Sequence, residues 1–375
     1  MTGIVKTDQI QGAGSSTVTI PSGTALNVTT VSGTPTFSGD VTLPSINGGQ
    51  IGGRRNIIIN GAMQIAQRST SETGKGDADG YFTLDRFRMG HGAASAGRYT
   101  MSRSTVTDLE GFSTALKIDC TTADTSIAAG EALLITQRLE GFNLQQLKAT
   151  STSTRAFTVS FYAKSNASRA IASEITFTNG TNRQISKLHT IGTSWARYTM
   201  TVPAASSTQI DNDNSHEGDL NFWIHAGSTY SSGTINDDAL DSITNANRAV
   251  GIGSIFASTD NTLEITGVQL ELGETATAFE HRSYGEDLQL CKRYFERITG
   301  QFGTDGTSSF VLGGGVWYST TQVLANFQYD TKRASPTTSV SQAGAMKAYG
   351  PGYARTANDT TCFDQIAEDN ARINI

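Results

Sequence analysis

Cysteine is scarce in this sequence: Cys120, Cys291 and Cys362 lie far apart, and no two form a CxxC pair. An odd count at wide spacing argues against a disulfide framework or a thiolate zinc site and leaves buried free thiols as the expectation. Charge is scarce too. Asp, Glu, Lys and Arg make up 17% of the chain, against about 25% in an average soluble domain. What charge there is sums to −6. Without a basic surplus to displace phosphate counterions, nucleic acid is not an expected partner. No apolar run reaches the roughly 20 residues that span a bilayer. The first residues, "MTGIVKTDQIQG", show neither the basic nor the apolar region of a signal peptide. Synthesis in a cytoplasm, with no membrane insertion, is the expectation.

Glycine and small hydroxylic residues fill the space that charge leaves, with 39 glycines in 375 residues. That balance suits strands whose outer faces carry Thr and Ser. Residues 1–54 differ from the rest: "VTIPSG" at Val18–Gly23 returns as "VTLPS" at Val41–Ser45, and charge nearly disappears after Lys6 and Asp8. Strands this short need surface from neighbouring copies, so an intertwined neck of threefold symmetry is expected; a Gly/Ser/Thr linker is the alternative. From Asn56 onward come strand-length segments separated by turns: "NIIINGAMQIAQR", "YFTLDRFRMG", "TALKIDC", "ALLITQRLE", "AFTVSFYAKSN", "EITFTNGTN", "WARYTMTVP", "DLNFWIHAGS", "GIGSIFAS" and "NTLEITGVQLELG". Short strands so spaced read as a β-sandwich or jelly roll. Helix is expected only as one or two turns in "EGFNLQQLKA" and in the first half of "YGEDLQLCKRYFERI", where Leu288, Cys291 and Tyr294 recur at helical spacing. The latter stretch is more charged than its surroundings and reads as a hinge, its charges facing solvent or an adjacent subunit. The expected architecture is all-β: a neck at 1–54, a central jelly-roll sandwich at 55–283, and a smaller distal β-sandwich domain at 284–375.

Several stretches resemble a known family. "ITGVQLELGETATAFEHRSYGEDLQLCKRYFE" at Ile265–Glu296 is similar to a boundary segment of tailed-bacteriophage tail-fibre and appendage proteins. "NIIINGAMQIAQRS", "FTLDRFR" and "FTVSFYAKSN" resemble the same family's opening and central strands, in the same order. "TVTIPSG" looks like its stalk segments. The resemblance covers about two-thirds of the chain. It implies a carbohydrate-binding-module-like jelly roll in a homotrimeric virion fibre, made in the host cytoplasm. It further implies attachment through the N-terminus to a tail, adaptor or nozzle protein, and host surface polysaccharide or an outer-membrane receptor as the target. The long anchoring domain of the family's large fibres is not expected here, a departure that leaves tail or head attachment open.

Candidate chemistry is sparse. A glycan-binding surface needs aromatic faces for sugar rings and polar groups for hydroxyls. Trp317 and Tyr318 in "GGGVWYS", with Tyr349 and Tyr353 in "AYGPGYAR", combine rigid rings with Gly-rich loops and are the expected receptor- or glycan-binding residues. Trp195 and Trp223 lie in strand-like stretches and are expected to pack in the core. Carboxylates for a glycosidase pair are plentiful (Asp85, Glu217, Asp219, Asp237, Asp238, Glu264), and nothing marks any two as neighbours. No GxSxG or HExxH occurs, and neither "GGG" nor "GIG" opens a helix, so neither nucleophilic catalysis nor a phosphate-binding cofactor is expected. No metal is expected either. In "DNDNSHEGD", Asp211, Asp213, Glu217 and Asp219 offer hard oxygen ligands, but the EF-hand register would place His216 where glycine is needed, so a solvated loop is the expectation and an irregular Ca²⁺ site the alternative. The sequence therefore points to a non-enzymatic virion fibre protein that adsorbs to host glycan. The alternatives are a connector or head-decoration protein and a glycan-depolymerising tailspike.

Overall fold

The computed structural model describes residues 54–298 and 322–338, with further strands at 315–319, 347–350, 353–356, 363–364 and 370–374. The expected neck lies outside the described residues apart from Arg54. Two six-stranded antiparallel sheets form the body of the molecule. Their strands are β1 (Ser71–Lys75), β2 (Arg88–His91), β3 (Arg98–Thr105), β4 (Thr114–Thr122), β5 (Ala132–Glu140), β6 (Phe157–Ser165), β7 (Arg169–Phe177), β8 (Arg183–Ile191), β9 (Ala196–Val202), β10 (His216–Ala226), β11 (Asp241–Ser242) and β12 (Thr262–Leu272). The first sheet runs β1-β3-β4-β12-β6-β9 and the second β11-β8-β7-β10-β5-β2.

Alternation explains why these residues form these strands. On β6, Phe157, Val159, Phe161 and Ala163 all point inward and are fully buried; on β10, Leu220, Phe222 and Ile224 do the same. The inner faces meet ring to ring, with Phe161 and Phe222 edge-on at 4.8 Å and Phe157 and Phe177 at 6.3 Å. The result is an all-β jelly-roll sandwich closed by one apolar cluster that draws on both sheets.

Two expected strands are not strands, and a third is one only in its last residues. In "NIIIN" the consecutive isoleucines Ile57–Ile59 are all buried, which a pleated strand with one wet face does not allow. The segment instead lies along the second half of β12. The Asn56 carboxamide stands in for backbone there: Oδ1 accepts from Ile58 N and Leu270 N, and Nδ2 donates to Val268 O. Ile57 N and Val268 N add backbone bonds to Leu270 O and Gly61 O. The turn expected at Asn60-Gly61 is present, with Asn60 at φ 61°. "YFTLDRFRMG" is a strand only from Arg88. Arg86 sits at φ 72°, and the preceding turn is held by Asp85 accepting from Gln67. "GIGSIFAS" carries a 3-10 turn at Ile255–Ala257, capped by Ser254 accepting from Phe256 N.

Both expected helical pieces are present: Gly141–Leu144 continues into a 3-10 turn at Gln145–Leu147, and Tyr284–Lys292 is helical. The second helix opens on a reciprocal cap between Ser283 and Glu286. Its Cys291 is buried with Ile59 and Ile65, and Leu288, Leu290 and Tyr294 pack against them. Its charges do not simply face solvent. Asp287 is buried beside Arg282, and just beyond the helix Arg293 pairs with the buried Glu140. Cys120 and Cys291 are buried free thiols; Cys362 lies outside the described residues. Toward the C-terminus a four-stranded sheet takes the order Gly315–Ser319, Gln322–Gln328, Asn370–Asn374, Phe363–Asp364, and Lys347–Gly350 pairs with Tyr353–Thr356. Among the described residues no helix is long and apolar enough to cross a membrane.

The core holds one titratable group with a clear pH signature. His189 on β8 is buried, touches the Phe161 ring at 5.2 Å and shares a 2.8 Å hydrogen bond with Ser173 Oγ. Burial, helped by Lys187, pulls its pKa down to about 4. The unfolded value is about 6.5, so below that pH the unfolded chain binds a proton that the folded chain refuses, and stability falls as pH drops towards 4. In urea unfolding, wild type is expected to lose about 2 kcal/mol more than His189→Gln between pH 7 and pH 5. Parallel curves would remove His189 from the pH response.

Candidate functional site

The outer face of the second sheet carries the chemistry. Inward residues on β10 and β5 alternate with outward ones: Asp219, Asn221 and Trp223 on β10, and Ala132, Leu134, Thr136 and Arg138 on β5. Strand register then sets two rows across the sheet. Glu174, Asn221, Thr136 and Arg88 are successive cross-strand partners, and beside them run Ala172, Trp223, Leu134 and Gly90. Glu174 is fully buried although it lies on the outward face. The covering comes from residues 227–261, the long connection from β10 to β12, which folds back over this side.

Glu174 clamps that connection down. Its carboxylate accepts from Arg248 Nε at 2.7 Å and Nη2 at 2.8 Å, from Trp223 Nε1 at 2.9 Å and from Asn221 Nδ2 at 2.9 Å. Asn221 is oriented in turn by Thr136 Oγ1, which donates to Asn221 Oδ1 at 2.8 Å. Burial opposes charge on Arg248, yet the Glu174 carboxylate outweighs it and holds the guanidinium above its ordinary value. The Arg248 guanidinium also lies 4.8 Å from the centre of the Trp223 ring, and Tyr230 stands 5.2 Å from the same ring at a tilt. Ala249 N donates to Tyr230 O, closing the connection on itself.

Asp79 and β2 form another wall. Arg88 donates to Asp79, and His91 N donates to Asp79 Oδ1 at 2.6 Å. Burial pushes the Asp79 carboxyl up, but the His91 N–H and the Arg88 guanidinium outweigh it and hold it below the usual carboxylate range. The His91 ring is pulled below its ordinary value by burial, against the pull of Asp79. Between these walls lies a cleft of about 210 Å³, lined by Asp79, Arg88, Thr136, Arg138, Asp219, Asn221, Trp223, Tyr230 and Arg248 among others. The charges are balanced locally: Arg88 faces Asp79, Arg248 faces Glu174, and Arg138 sits opposite Asp219 in register. Such a surface presents fixed donors and acceptors, an aromatic ring and little net charge.

The residues expected from sequence fall elsewhere. Trp317 and Tyr318 lie on strand Gly315–Ser319, with Tyr349 and Tyr353 on the two strands of a hairpin, so all four occupy strands and not loops. Their side chains lie outside the described residues. Trp223 is buried, as expected, but on the outer face under the 227–261 connection and not between the sheets. Trp195 is not core at all: it is half-buried, donates to Asp108 and lies under Lys164. The candidate carboxylates are scattered. Asp85 is buried in the opening turn, Glu264 accepts from Ser104 on the other sheet, and Asp237 and Asp238 are exposed. Asp219 reaches the cleft and shares a 2.9 Å contact with His216, while Glu217 gathers with Asp211 and Asp213. Arg88, Asn221, Tyr230 and Arg248 were not singled out from sequence. The signal for Trp223 was available: in "DLNFWIHA" it is in phase with Asp219 and Asn221, not with Leu220 and Phe222.

No family model matches the sequence, and no curated protein matches it. Among solved structures, the enzymatically active domain of tailspike protein 4 of bacteriophage CBA120 is similar over 58% of this chain at 16% identity and a TM-score of 0.29, and the match spans 21% of that domain. A family 61 carbohydrate-binding module in complex with β-1,4-galactotriose is similar over 58% of this chain and 99% of its own, at 10% identity and a TM-score of 0.28. The family 11 carbohydrate-binding module of Clostridium thermocellum Lic26A-Cel5E covers 56% and 99%, at 12% identity and a TM-score of 0.28.

Removing the clamp tests how the site is built. Glu174→Gln leaves Arg248 without its counter-charge, and a loss of about 3 kcal/mol in urea unfolding is expected. A loss within about 0.5 kcal/mol of wild type, the range of surface changes, would mean that the pair does not hold the connection.

Proposed function

We propose that this protein is a glycan-binding virion fibre protein and that the outer-sheet cleft is a site of sugar recognition. The observation that carries the reading is the pre-assembled polar network. Arg88, Asp79, Asp219 and Asn221 offer donors and acceptors whose orientations are already set by neighbours, with the exposed Arg138 and the Tyr230 ring beside them. A sugar supplies the complement, with hydroxyls for the polar groups and an apolar C–H face for the ring. Because Arg88 and Arg248 each have a carboxylate partner and Arg138 lies across from Asp219 in register, the cleft suits a neutral glycan better than an acidic one.

Binding without turnover is the favoured chemistry. A retaining or inverting glycosidase needs one carboxyl held protonated as general acid. Asp79 is held in the opposite direction, Asp219 is engaged with His216, and Glu174 already accepts from Arg248, Trp223 and Asn221. The setting in a phage fibre rests on the resemblance of Asn56–Ser69, Phe157–Asn166 and Ile265–Glu296 to that family. A homotrimer attached through its N-terminal segment would present three such clefts on one body. Several weak sites acting together hold a particle far more firmly than one.

The test is binding of the full-length protein to immobilised host-surface polysaccharides and a panel of neutral and acidic oligosaccharides. Arg88→Ala and Tyr230→Ala are each expected to weaken binding of the best neutral ligand about tenfold, with unfolding midpoints close to wild type. Raising salt roughly tenfold should change the affinity little. Undiminished binding in both variants, together with loss in Trp317→Ala or Tyr353→Ala, would move recognition to the distal region and sink the cleft as the site.

A further inference from the structure

At the end of the second sheet, away from the residues that line the cleft, Asp211, Asp213 and Glu217 converge so that one carboxylate oxygen from each lies within 4.8 Å of the others. The chain arrives there from β9 and enters β10 at His216, so the cluster joins a loop to the start of a central strand. Its neighbours are mostly neutral donors. Asn179 Nδ2, from the turn between β7 and β8, donates to Asp211 Oδ2 at 2.9 Å and to Glu217 Oε2 at 2.7 Å. Gln209 Nε2 donates to both oxygens of Asp211, and Ser215 N donates to Asp213 Oδ1. The nearby cation, Lys148, directs its Nζ to Ile210 O.

Glu217 is the decisive residue. It is fully buried, and its Oε1 has no hydrogen-bond partner among the described residues. A buried carboxylate oxygen left without a donor is costly, and two further carboxylates at this range add repulsion. The Asp211 N–H also lies near the carboxylate but does not complete a bond to Oε1. A cation coordinated by that oxygen would satisfy it and neutralise the cluster.

We propose that Asp211, Asp213 and Glu217 form a Ca²⁺ site that fastens the 209–219 segment to the end of the second sheet. The donor set is all oxygen, which suits a hard cation and not zinc, whose sites favour nitrogen and sulfur. Irregular spacing from one loop and one strand suits Ca²⁺, which accepts six to eight oxygens in flexible geometry, better than Mg²⁺, which demands a near-ideal octahedron. Water completes the shell. The strand that carries Glu217 also carries Asp219, Asn221 and Trp223, so the ion steadies the strand that forms the floor of the cleft. The inference does not depend on the cleft binding sugar.

The test uses the full-length protein, stripped with a chelator and titrated with CaCl₂ or MgCl₂ alone, followed by calorimetry and by thermal unfolding. One Ca²⁺ per chain is expected to bind saturably, Mg²⁺ more weakly, with the unfolding midpoint rising by several degrees at saturating Ca²⁺. Glu217→Gln and Asp213→Asn should each weaken Ca²⁺ binding by roughly tenfold or more, since even outer-shell changes cost that much at a metal site. Asp119→Asn, a surface carboxylate on β4, should not. The ion-free midpoints of both site variants should stay near or above the wild-type value, because each removes one repelling charge. Absence of saturable Ca²⁺ uptake by wild type, or uptake undiminished in either site variant, overturns the site.

Discussion

Glu174 is the interaction on which the functional face depends. A carboxylate placed on the outward side of a central strand would ordinarily sit in water. Here Arg248, Trp223 and Asn221 saturate it, and the connection that carries Arg248 is drawn over the sheet as a result. Desolvating an ion pair costs several kcal/mol per charge, and only a full set of hydrogen bonds offsets that. Glu174 has such a set, including a bidentate guanidinium, and so ties together β7, β10 and a loop about seventy residues further along the chain. Without that tie the Arg248 side of the connection would lose its anchor, and Tyr230 would be held only by its own turn, where Gly227 N and Thr229 N donate to Glu131 O and Ala129 O.

The same logic recurs at smaller scale. Asn56 uses its carboxamide to continue the bonding of β12 where β4 departs, and Asp287 is buried against Arg282 where the helix meets the opening turn. In each case a polar side chain substitutes for a missing ladder or a missing neighbour. The apolar layer between the sheets supplies the bulk of the folding drive. These polar substitutions decide where irregular segments dock on it.

Much of the sandwich was legible because its strands keep an apolar-inward, polar-outward period in the sequence even where the outer face is covered. β5, β6, β10 and β12 coincide closely with alternating segments bounded by turn residues. Legibility failed where successive buried residues lie on a non-repeating backbone. Ile57–Ile59 and Thr83–Asp85 are buried in succession, and their apolar or polar order says nothing about a non-repeating backbone. Arg86 at positive φ could not be anticipated, since only tertiary packing holds a bulky residue there. The cleft was harder still. Its residues come from β2, β5, β10 and a loop, and only register brings them together. Trp223 was readable in principle, by phase with Asp219 and Asn221. Arg248 was not, because its partner lies on a strand with no local signal. The acidic stretch at Asp211–Asp219 reads as a solvated loop, but strand β10 begins at His216 and Glu217 is buried; Asp219 turns towards the cleft while Asp211, Asp213 and Glu217 gather at the sheet end.

The most direct measurement is a crystal structure of the full-length protein soaked with the neutral oligosaccharide that binds it best. Density for a sugar ring against Tyr230, with hydroxyls hydrogen-bonded to Arg88, Asn221 or Asp219, is the predicted result. A sugar bound instead at the C-terminal strands, or at the half-exposed cluster of Phe112, Tyr162 and Phe279 on the opposite sheet, with the cleft filled only by water, would contradict the assignment.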